Sequence, residues 1–310
     1  MKKILLVGSG YMAQEYLKVI KGLGEDCTLV ARDNQKATEI AEKFGYRGFG
    51  GGTSTLESLN LKDFDLIINA SSLESLKETT LVCFKKGAQK ILLEKPGAMS
   101  LSQLEELSSK QTAQVRIAHN RRYYNSIRKL RRLIAEDGGP VGCFFDFTDR
   151  EKDLLNVERP IEVKRRWGYA NSSHVIDAAF FLIGYPKKIN CITSGYWECH
   201  PSGTVFTGSG ESVCPFSYFA TWNGGGRWNI EVSTEKGRYK LSPLEELQFC
   251  KKNQFSWENL SLDDEDDKSF KPGLKKMVKE MLEDVPSDLP DLKQQIEFFK
   301  ILKQVFNYED

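Results

Sequence analysis

Ile4-Leu5-Leu6-Val7-Gly8-Ser9-Gly10-Tyr11-Met12-Ala13 is the stretch that decides the fold. Four apolar residues of strand character run straight into a Gly-x-Gly-x-x-Ala string. That string opens a pattern in which Ala13, Tyr16, Leu17 and Ile20 recur at i, i+3, i+4 and i+7, the spacing of an amphipathic helix. Strand, string and helix in this order predict a dinucleotide-binding turn, in which Gly8 permits the tight bend, Gly10 lets the backbone approach a diphosphate, and Ala13 is small enough for close helix-strand packing. The helix N-terminus beyond offers free N–H groups and positive dipole character to phosphates, with Tyr11 and Met12 beside them.

Outward from this turn, Thr28 to Ala31, Leu66 to Asn69, Ile91 to Leu93 and Val115 to Ala118 read as further strands, and Ala37, Ile40, Ala41 and Phe44 as a second helix. Gly45 and Gly87 sit at expected C-terminal caps, and Ser100 with Gln103 makes a capping box. Alternating strands and helices predict a doubly wound parallel Rossmann sheet. A helix over 123–135 stops at Gly138-Gly139-Pro140, after which apolar residues recur every second position: Cys143, Phe145 and Phe147; Cys214, Phe216, Tyr218, Ala220 and Trp222; Trp228, Ile230 and Val232. The second part is therefore expected to be an α+β domain with an open, mainly antiparallel sheet, interrupted by a helix carrying Ile176, Ala179, Phe180 and Ile183. The expected domains are 1–120, for the cofactor, and 121–310, for substrate and oligomerisation. The acidic run Asp263 to Asp267 reads as a solvated loop.

Composition narrows the function. In 310 residues, 28% are charged with a net charge of +1, so no global field favours nucleic acid or an anionic membrane; a small-molecule substrate and copies of this chain are the expected partners. No apolar run approaches the roughly 20 residues of a membrane span, and the N-terminal apolar run is too short for a signal peptide, so a cytoplasmic location is expected. The seven cysteines are scattered without a Cys-x-x-Cys pair and read as reduced thiols, and three histidines without clustered ligands make a metal site unexpected.

After the second strand the chain reads Val30-Ala31-Arg32-Asp33. With Ala31 in the position where NAD sites place an acid, the carboxylate that repels a 2′-phosphate is missing, and Arg32 is placed to pair with that phosphate. NADP is expected as cofactor, with NAD second, because a strand one residue longer would give Asp33 the acidic role. Ala70 and Ser71, after the Leu66 to Asn69 strand, are small enough to line the cofactor. Glu94-Lys95-Pro96 closes another strand on the edge where ligands of open α/β sheets bind, with Lys95 able to reach substrate and Glu94 to orient it.

This tripeptide, the glycine string, Asn120-Arg121-Arg122 and a downstream His174-x-x-Asp177 together resemble the glucose-fructose oxidoreductase/inositol dehydrogenase/MocA (Gfo/Idh/MocA) family of NAD(P)-dependent sugar and polyol enzymes. The resemblance implies a Rossmann domain followed by an α/β domain whose open sheet supports a dimer or tetramer. It also implies hydride transfer at a hydroxyl or keto carbon of a sugar, sugar phosphate or nucleotide-sugar. Lys95 would contact substrate and nicotinamide ribose, and His174 would donate or accept the proton. Such chemistry leaves an alkoxide-like oxygen, which an ammonium stabilises while an imidazole moves the proton near neutral pH.

Two departures qualify the resemblance. Where the family carries Asp-x-Gly-x-His, this chain has Ala170-Asn171-Ser172-Ser173-His174, without the Asp or the Gly, and Ala70 to Leu76 replaces a Thr-Pro-x-x-x-His-like segment. Asn171 can hydrogen-bond a sugar hydroxyl but cannot act as acid or base, and Lys95 or Tyr169 are alternative proton carriers. Arg121 and Arg122 suit a phosphate or nucleotide portion of a substrate or, equally, a domain-interface salt bridge; Arg166 and Trp167 suit the nicotinamide, or Trp167 the core. Two other functions stay open: a cofactor-retaining hydrolase or epimerase-like enzyme that oxidises its sugar transiently, and a non-catalytic NAD(P)-sensing scaffold.

Overall fold

The computed structural model describes residues 1–263, 265–283 and 285–309. The chain divides into two compact units, residues 1–120 with 265–297, and residues 121–264 with 298–310.

The first unit is built on six parallel strands, β1 (Lys3–Val7), β2 (Asp26–Val30), β3 (Arg47–Phe49), β4 (Leu66–Asn69), β5 (Lys90–Leu93) and β6 (Gln114–Ile117), in the order β3-β2-β1-β4-β5-β6. Helices α1 (Tyr11–Leu23), α2 (Asn34–Phe44), α3 (Thr53–Ser58), α4 (Leu76–Lys85) and α5 (Leu101–Ser109) make the crossovers. Ile4, Leu5, Leu6, Ile68, Leu92 and Leu93 are completely enclosed, as a parallel sheet covered on both faces requires. Gly45, in the left-handed region at φ 83°, closes α2. Ser100 accepts from the Gln103 N–H at the start of α5, and Gln103 in turn accepts from Met99. β3 escapes the sequence reading because Arg47-Gly48-Phe49 is a three-residue edge strand with no apolar run.

The second unit begins with α6 (Asn125–Glu136), so the unit boundary precedes the change of pattern at Gly138-Gly139-Pro140. Its eight strands are β7 (Gly142–Asp146), β8 (Lys188–Ser194), β9 (Val205–Glu211), β10 (Pro215–Thr221), β11 (Asn229–Ser233), β12 (Gly237–Leu241), β13 (Gln248–Lys251) and β14 (Glu258–Asn259), in the order β14-β13-β12-β11-β7-β10-β9-β8. All neighbours are antiparallel except β7 and β10. Two short helices, α7 (Glu151–Asn156) and α8 (Ile161–Arg165), lead to α9 (Ser173–Ile183), nearly every residue of which is buried. Phe180 of α9 meets Phe145 of β7 edge-on at 5.7 Å and Phe216 of β10 at 5.4 Å, so α9 seals one face of the sheet.

Two expectations are corrected. The expected second domain is not the continuous span 121–310, because residues 265–297 belong to the first unit. There α10 (Glu265–Ser269) precedes α11 (Leu274–Leu282), which packs on α1 and encloses Met277 and Val278 completely. α12 (Leu292–Phe306) gives its first residues to the first unit and those from Phe298 to the second. The acidic run is not simply a solvated loop: Asp264 lies outside the described residues, but Asp266 pairs with Lys275 at 2.8 Å and Asp267 accepts from the Gly273 N–H at 2.9 Å. Among the described residues, no helix is long and apolar enough to cross a membrane.

The packing of α11 predicts that Met277→Ala, which opens a cavity, lowers unfolding free energy by about 2–5 kcal/mol in urea titrations. Phe255→Ala, at a residue 98% exposed, should change it by less than about 0.5 kcal/mol. Equal effects would contradict the assignment of 265–297 to a packed core.

Candidate functional site

In the first unit the turn after β1 is shaped by what cannot fit there. Gly8 has φ +125°, and a Cβ on it would collide with the carbonyl of Ala70, so the bend is closed to other residues. Its N–H donates to the Val30 carbonyl at 2.8 Å. Gly10, with φ −77°, is conformationally ordinary; apart from its chain neighbours, no described atom lies within 4 Å of where its Cβ would stand. No side chain caps α1, whereas Asp33 caps α2 by accepting from the Lys36 N–H at 2.7 Å. The leading N–H groups of α1 and the open space over Gly10 thus form a cradle suited to a diphosphate. Tyr11 is 64% exposed, with the Lys271 ammonium 5.0 Å from its ring centre, and Met12 is half-buried.

β2 ends at Val30. Ala31 follows it, buried, with its N–H on the Phe49 carbonyl and its carbonyl accepting from Gly52. Arg32 is exposed, and its guanidinium has no ion pair among the described residues. The carboxylate of Asp33 is engaged as the cap of α2. These residues fit a cofactor bearing a 2′-phosphate.

The ends of β4 and β5 are organised by residues the sequence reading passed over. Asn69, fully buried, donates to the Leu76 carbonyl and to Thr80 at 3.0 Å each, while its Oδ1 accepts from the Ser71 hydroxyl at 2.8 Å. That fixes Ala70 and Ser71 beside the glycine turn. Its backbone carbonyl accepts from the Glu94 N–H at 3.0 Å. Glu94 is buried and accepts from the Tyr16 hydroxyl at 2.6 Å. Burial pushes its carboxyl above the usual range, opposed by the Tyr16 bond and by the nearby Lys95 and Lys271. Tyr16, read from the sequence as part of the apolar face of α1, has its phenol pushed well up, by burial and then by Glu94. Beyond the half-buried Lys95, whose peptide bond to Pro96 is cis, the Pro96 carbonyl accepts from Gln295 at 3.0 Å, and Gln295 also bonds the buried His119 at 3.0 Å. The Lys95 backbone is thereby held on both sides.

In the second unit three expected contacts become internal ones. Arg122 is not an open substrate-binding group: it is buried and pairs bidentately with Asp177 on α9, Nε to Oδ2 at 2.9 Å and Nη2 to Oδ1 at 2.6 Å, while also reaching the Tyr185 hydroxyl. This ion pair lies within the second unit, so it is not the expected domain-interface salt bridge either. Tyr169 is fully buried, its ring stacked on Phe299 at 4.2 Å, and belongs to the core rather than to a substrate surface. Arg166 lies over the Tyr308 ring at 5.0 Å and donates to the Glu309 carbonyl, engaging the C-terminal tail rather than standing open to a nicotinamide.

Residues 168–172 form one π-helical turn leading into α9, a local irregularity common at functional sites. Gly168 opens it because a Cβ there would strike the Phe306 ring. Its N–H donates to the Tyr308 hydroxyl at 2.8 Å, which is itself within 2.6 Å of His200 Nε2. His174 follows in the first turn of α9, 7% exposed, its ring 6.2 Å from that of Trp228. The residue that ties this region together is Asp149, between β7 and α7. It accepts from the Ser172 hydroxyl at 2.7 Å, from the indoles of Trp167 at 3.0 Å and Trp228 at 3.1 Å, and from Asn171 at 3.1 Å. Burial pushes its carboxyl up, opposed by those bonds. Trp167 and Asn171, expected to serve cofactor and substrate, therefore spend these donors on Asp149. No sequence signal marked Asp149, because its partners lie 18 to 79 residues downstream.

The turn after β1, the parallel strand order and the uncapped α1 define a dinucleotide-binding Rossmann domain. Residues 2–119 match the family of oxidoreductases with an NAD-binding Rossmann fold, Gfo/Idh/MocA. Among solved structures it is similar to levoglucosan dehydrogenase in complex with NADH, at TM-score 0.80 and 14% identity over 99% of this chain and 96% of that one. A Gfo/Idh/MocA family oxidoreductase from Vibrio cholerae aligns at TM-score 0.78 and 14% identity, covering 99% and 97%. UDP-N-acetylglucosamine 3-dehydrogenase from Acidithiobacillus ferrooxidans aligns at TM-score 0.75 and 13% identity, covering 98% and 96%. No curated protein matches the sequence.

His200 makes a pH prediction. Burial, first, pushes its imidazole down from 6.5 to about 4, so the unfolded chain takes up the proton before the folded one does. Stability that is full above pH 6.5 should therefore be lost as pH falls toward 4, by on the order of 3 kcal/mol. Melting curves of wild type and His200→Gln across pH 4–7 should show a shallower acid slope in the variant; parallel slopes would refute the assignment.

Proposed function

We propose that this protein transfers a hydride reversibly between NADP(H) and the hydroxyl or keto carbon of a sugar, sugar phosphate or nucleotide-linked sugar. The observation that carries this reading is the cradle of Gly8, Gly10 and the uncapped α1 within residues 2–119, the part that matches this family. Preference for NADP is supported by Ala31 in the acidic position, by the exposed Arg32, and by the use of Asp33 as a helix cap. The sugar class is supported by similarity to dehydrogenases of levoglucosan and of UDP-N-acetylglucosamine.

A bound nicotinamide dinucleotide supplies the hydride carrier. Gly8, Gly10, Tyr11 and Met12 would hold its diphosphate, Arg32 would pair with a 2′-phosphate, and Ala70, Ser71 and Glu94 would complete the lining along the strand ends. The Lys95 ammonium stabilises negative charge developing on the substrate oxygen, and the imidazole of His174 exchanges the proton with that oxygen. Glu94, fixed by Tyr16, sets the backbone from which Lys95 extends. Self-association through the second sheet is supported by apolar residues on its open face, with Phe144 37%, Ile192 66% and Phe219 38% exposed.

In fluorescence titrations, Arg32→Ala should weaken NADPH binding by about 10- to 100-fold while changing NADH binding less than about twofold. Ala31→Asp should shift the preference toward NADH. Equal losses for the two cofactors would remove the case for NADP. Across a panel of sugars and UDP-linked sugars, Lys95→Met should cut turnover by about 100- to 1000-fold with NADPH affinity nearly intact. A variant that turns over normally would overturn the role given to Lys95.

A further inference from the structure

Trp228 follows Gly224-Gly225-Gly226 and Arg227, a run in which three residues have no side chain to hold the backbone. Yet its indole is held at several points. The ring lies 6.2 Å from His174, the Arg121 guanidinium sits 4.9 Å from its centre, and its N–H donates to Asp149 at 3.1 Å. The hydrogen bond is the directional one among these contacts, so it sets the rotation of the indole that the imidazole packs against.

Asp149 is itself fixed. The preceding Thr148 accepts from the Thr221 N–H at 3.1 Å, and Glu151, two residues on, donates its N–H to the Trp222 carbonyl at 2.9 Å. From this anchored point the carboxylate also takes Ser172 and Asn171 from the turn that ends one residue before α9 begins, and Trp167 just ahead of that turn. All four partners are neutral donors, and among the described residues no cation pairs with it. An ionised carboxylate accepts at both oxygens, which this set of donors requires; an amide in its place would present two N–H groups to donors.

We propose that Asp149 is the positioning residue for His174, holding the imidazole from two sides by pinning the π-helical turn that leads into α9 and the Trp228 ring beside it. The proposal rests on the reading of His174 as the proton carrier. Asp149 does not move the proton; it limits the orientations of the group that does.

The test uses the full-length 15N-labelled protein. Its five tryptophans give five indole N–H signals and its three histidines three imidazole Cε1–H signals, assigned by Trp167→Phe, Trp228→Phe and His174→Gln. In wild type, the Trp167 and Trp228 N–H signals should lie downfield of those of Trp197 and Trp257 and exchange more slowly with solvent. In Asp149→Asn, both should move upfield and the His174 signal should shift, while that of His119 stays in place. With a turned-over sugar, kcat should fall about 10- to 100-fold with KM and NADPH affinity within about threefold, the signature of misplacement rather than lost binding. Asp149→Glu, which keeps the carboxylate, should recover part of the loss.

If the wild-type indole signals resemble those of the other tryptophans, or if Asp149→Asn leaves the His174 signal and kcat unchanged, the proposal is wrong. Should Asp149→Asn not fold, Trp228→Phe removes the N–H while keeping an aromatic ring, and an unchanged kcat there also overturns it. A His174→Gln variant with normal turnover would instead sink the parent reading, and with it the purpose given to Asp149, whatever the indole signals show.

Discussion

The first unit depends on a row of peptide hydrogen bonds that continues the sheet one residue past the end of each strand. The Gly8 N–H meets the Val30 carbonyl, Ala70 meets Val7, Glu94 meets Asn69, and Ala118 meets Leu93, at 2.8 to 3.0 Å. Each donor is the first residue to leave its strand, so the chain turns away only after it has been tied to its neighbour. The row forces β1 and β4 together at the point where Gly8 meets the Ala70 carbonyl, which is why position 8 accepts no side chain. Candidate cofactor residues from separate stretches of sequence thus share one edge because the ladder places them there. No interaction among their side chains is needed to assemble them.

Side chains then set electrostatics on that frame, and three buried or half-buried acids are treated in three ways. Asp177 receives a bidentate arginine, which neutralises it and locks α9 to the segment before α6. Breaking such a pair leaves a charge unmatched in the core, so losing either partner costs more than the intact pair adds to net stability. Glu94 receives a phenol, with lysines nearby but not in its first hydrogen bond, and burial dominates its titration. Asp149 receives neutral donors only, so its charge is solvated by the protein without being cancelled. The first arrangement immobilises; the other two leave a carboxyl whose protonation responds to its surroundings.

What the sequence disclosed follows from the range of the forces involved. The turn after β1, the strand-helix alternation and the caps at Gly45 and Ser100 are local, each set by residues within a few positions, and they were legible. So was the period-two pattern of the second sheet, since alternate burial is written directly into composition. β3 was missed because three residues cannot carry a period. The return of 265–297 to the first unit was missed because its amphipathic helix fits either core equally well by pattern, and only packing decides. Tyr16 and Tyr169 show a related limit. Both sit at apolar helix or turn positions, and nothing in the local sequence says that one hydroxyl meets a carboxylate 78 residues away while the other ring is stacked into the core.

The same limit explains the apparent gap before His174. Residues 166–175 contain no acid, and read along the chain the imidazole stands without the carboxylate that the resemblance would place at Ala170. In space a carboxylate is present, contributed by Asp149 from the segment between β7 and α7 and bonded to Asn171 and Ser172 within that stretch. One of the two departures, Ser172 in the glycine position, is itself a donor to that carboxylate, with a hydroxyl bond that glycine cannot make, and the neighbouring Asn171 adds an amide donor. The substitution pattern is coherent once the charge is allowed to come from another element. A neutral, hydrogen-bonding turn is what a carboxylate approaching from the segment after β7 requires, and an aspartate retained at Ala170 would place a second negative charge in the same turn.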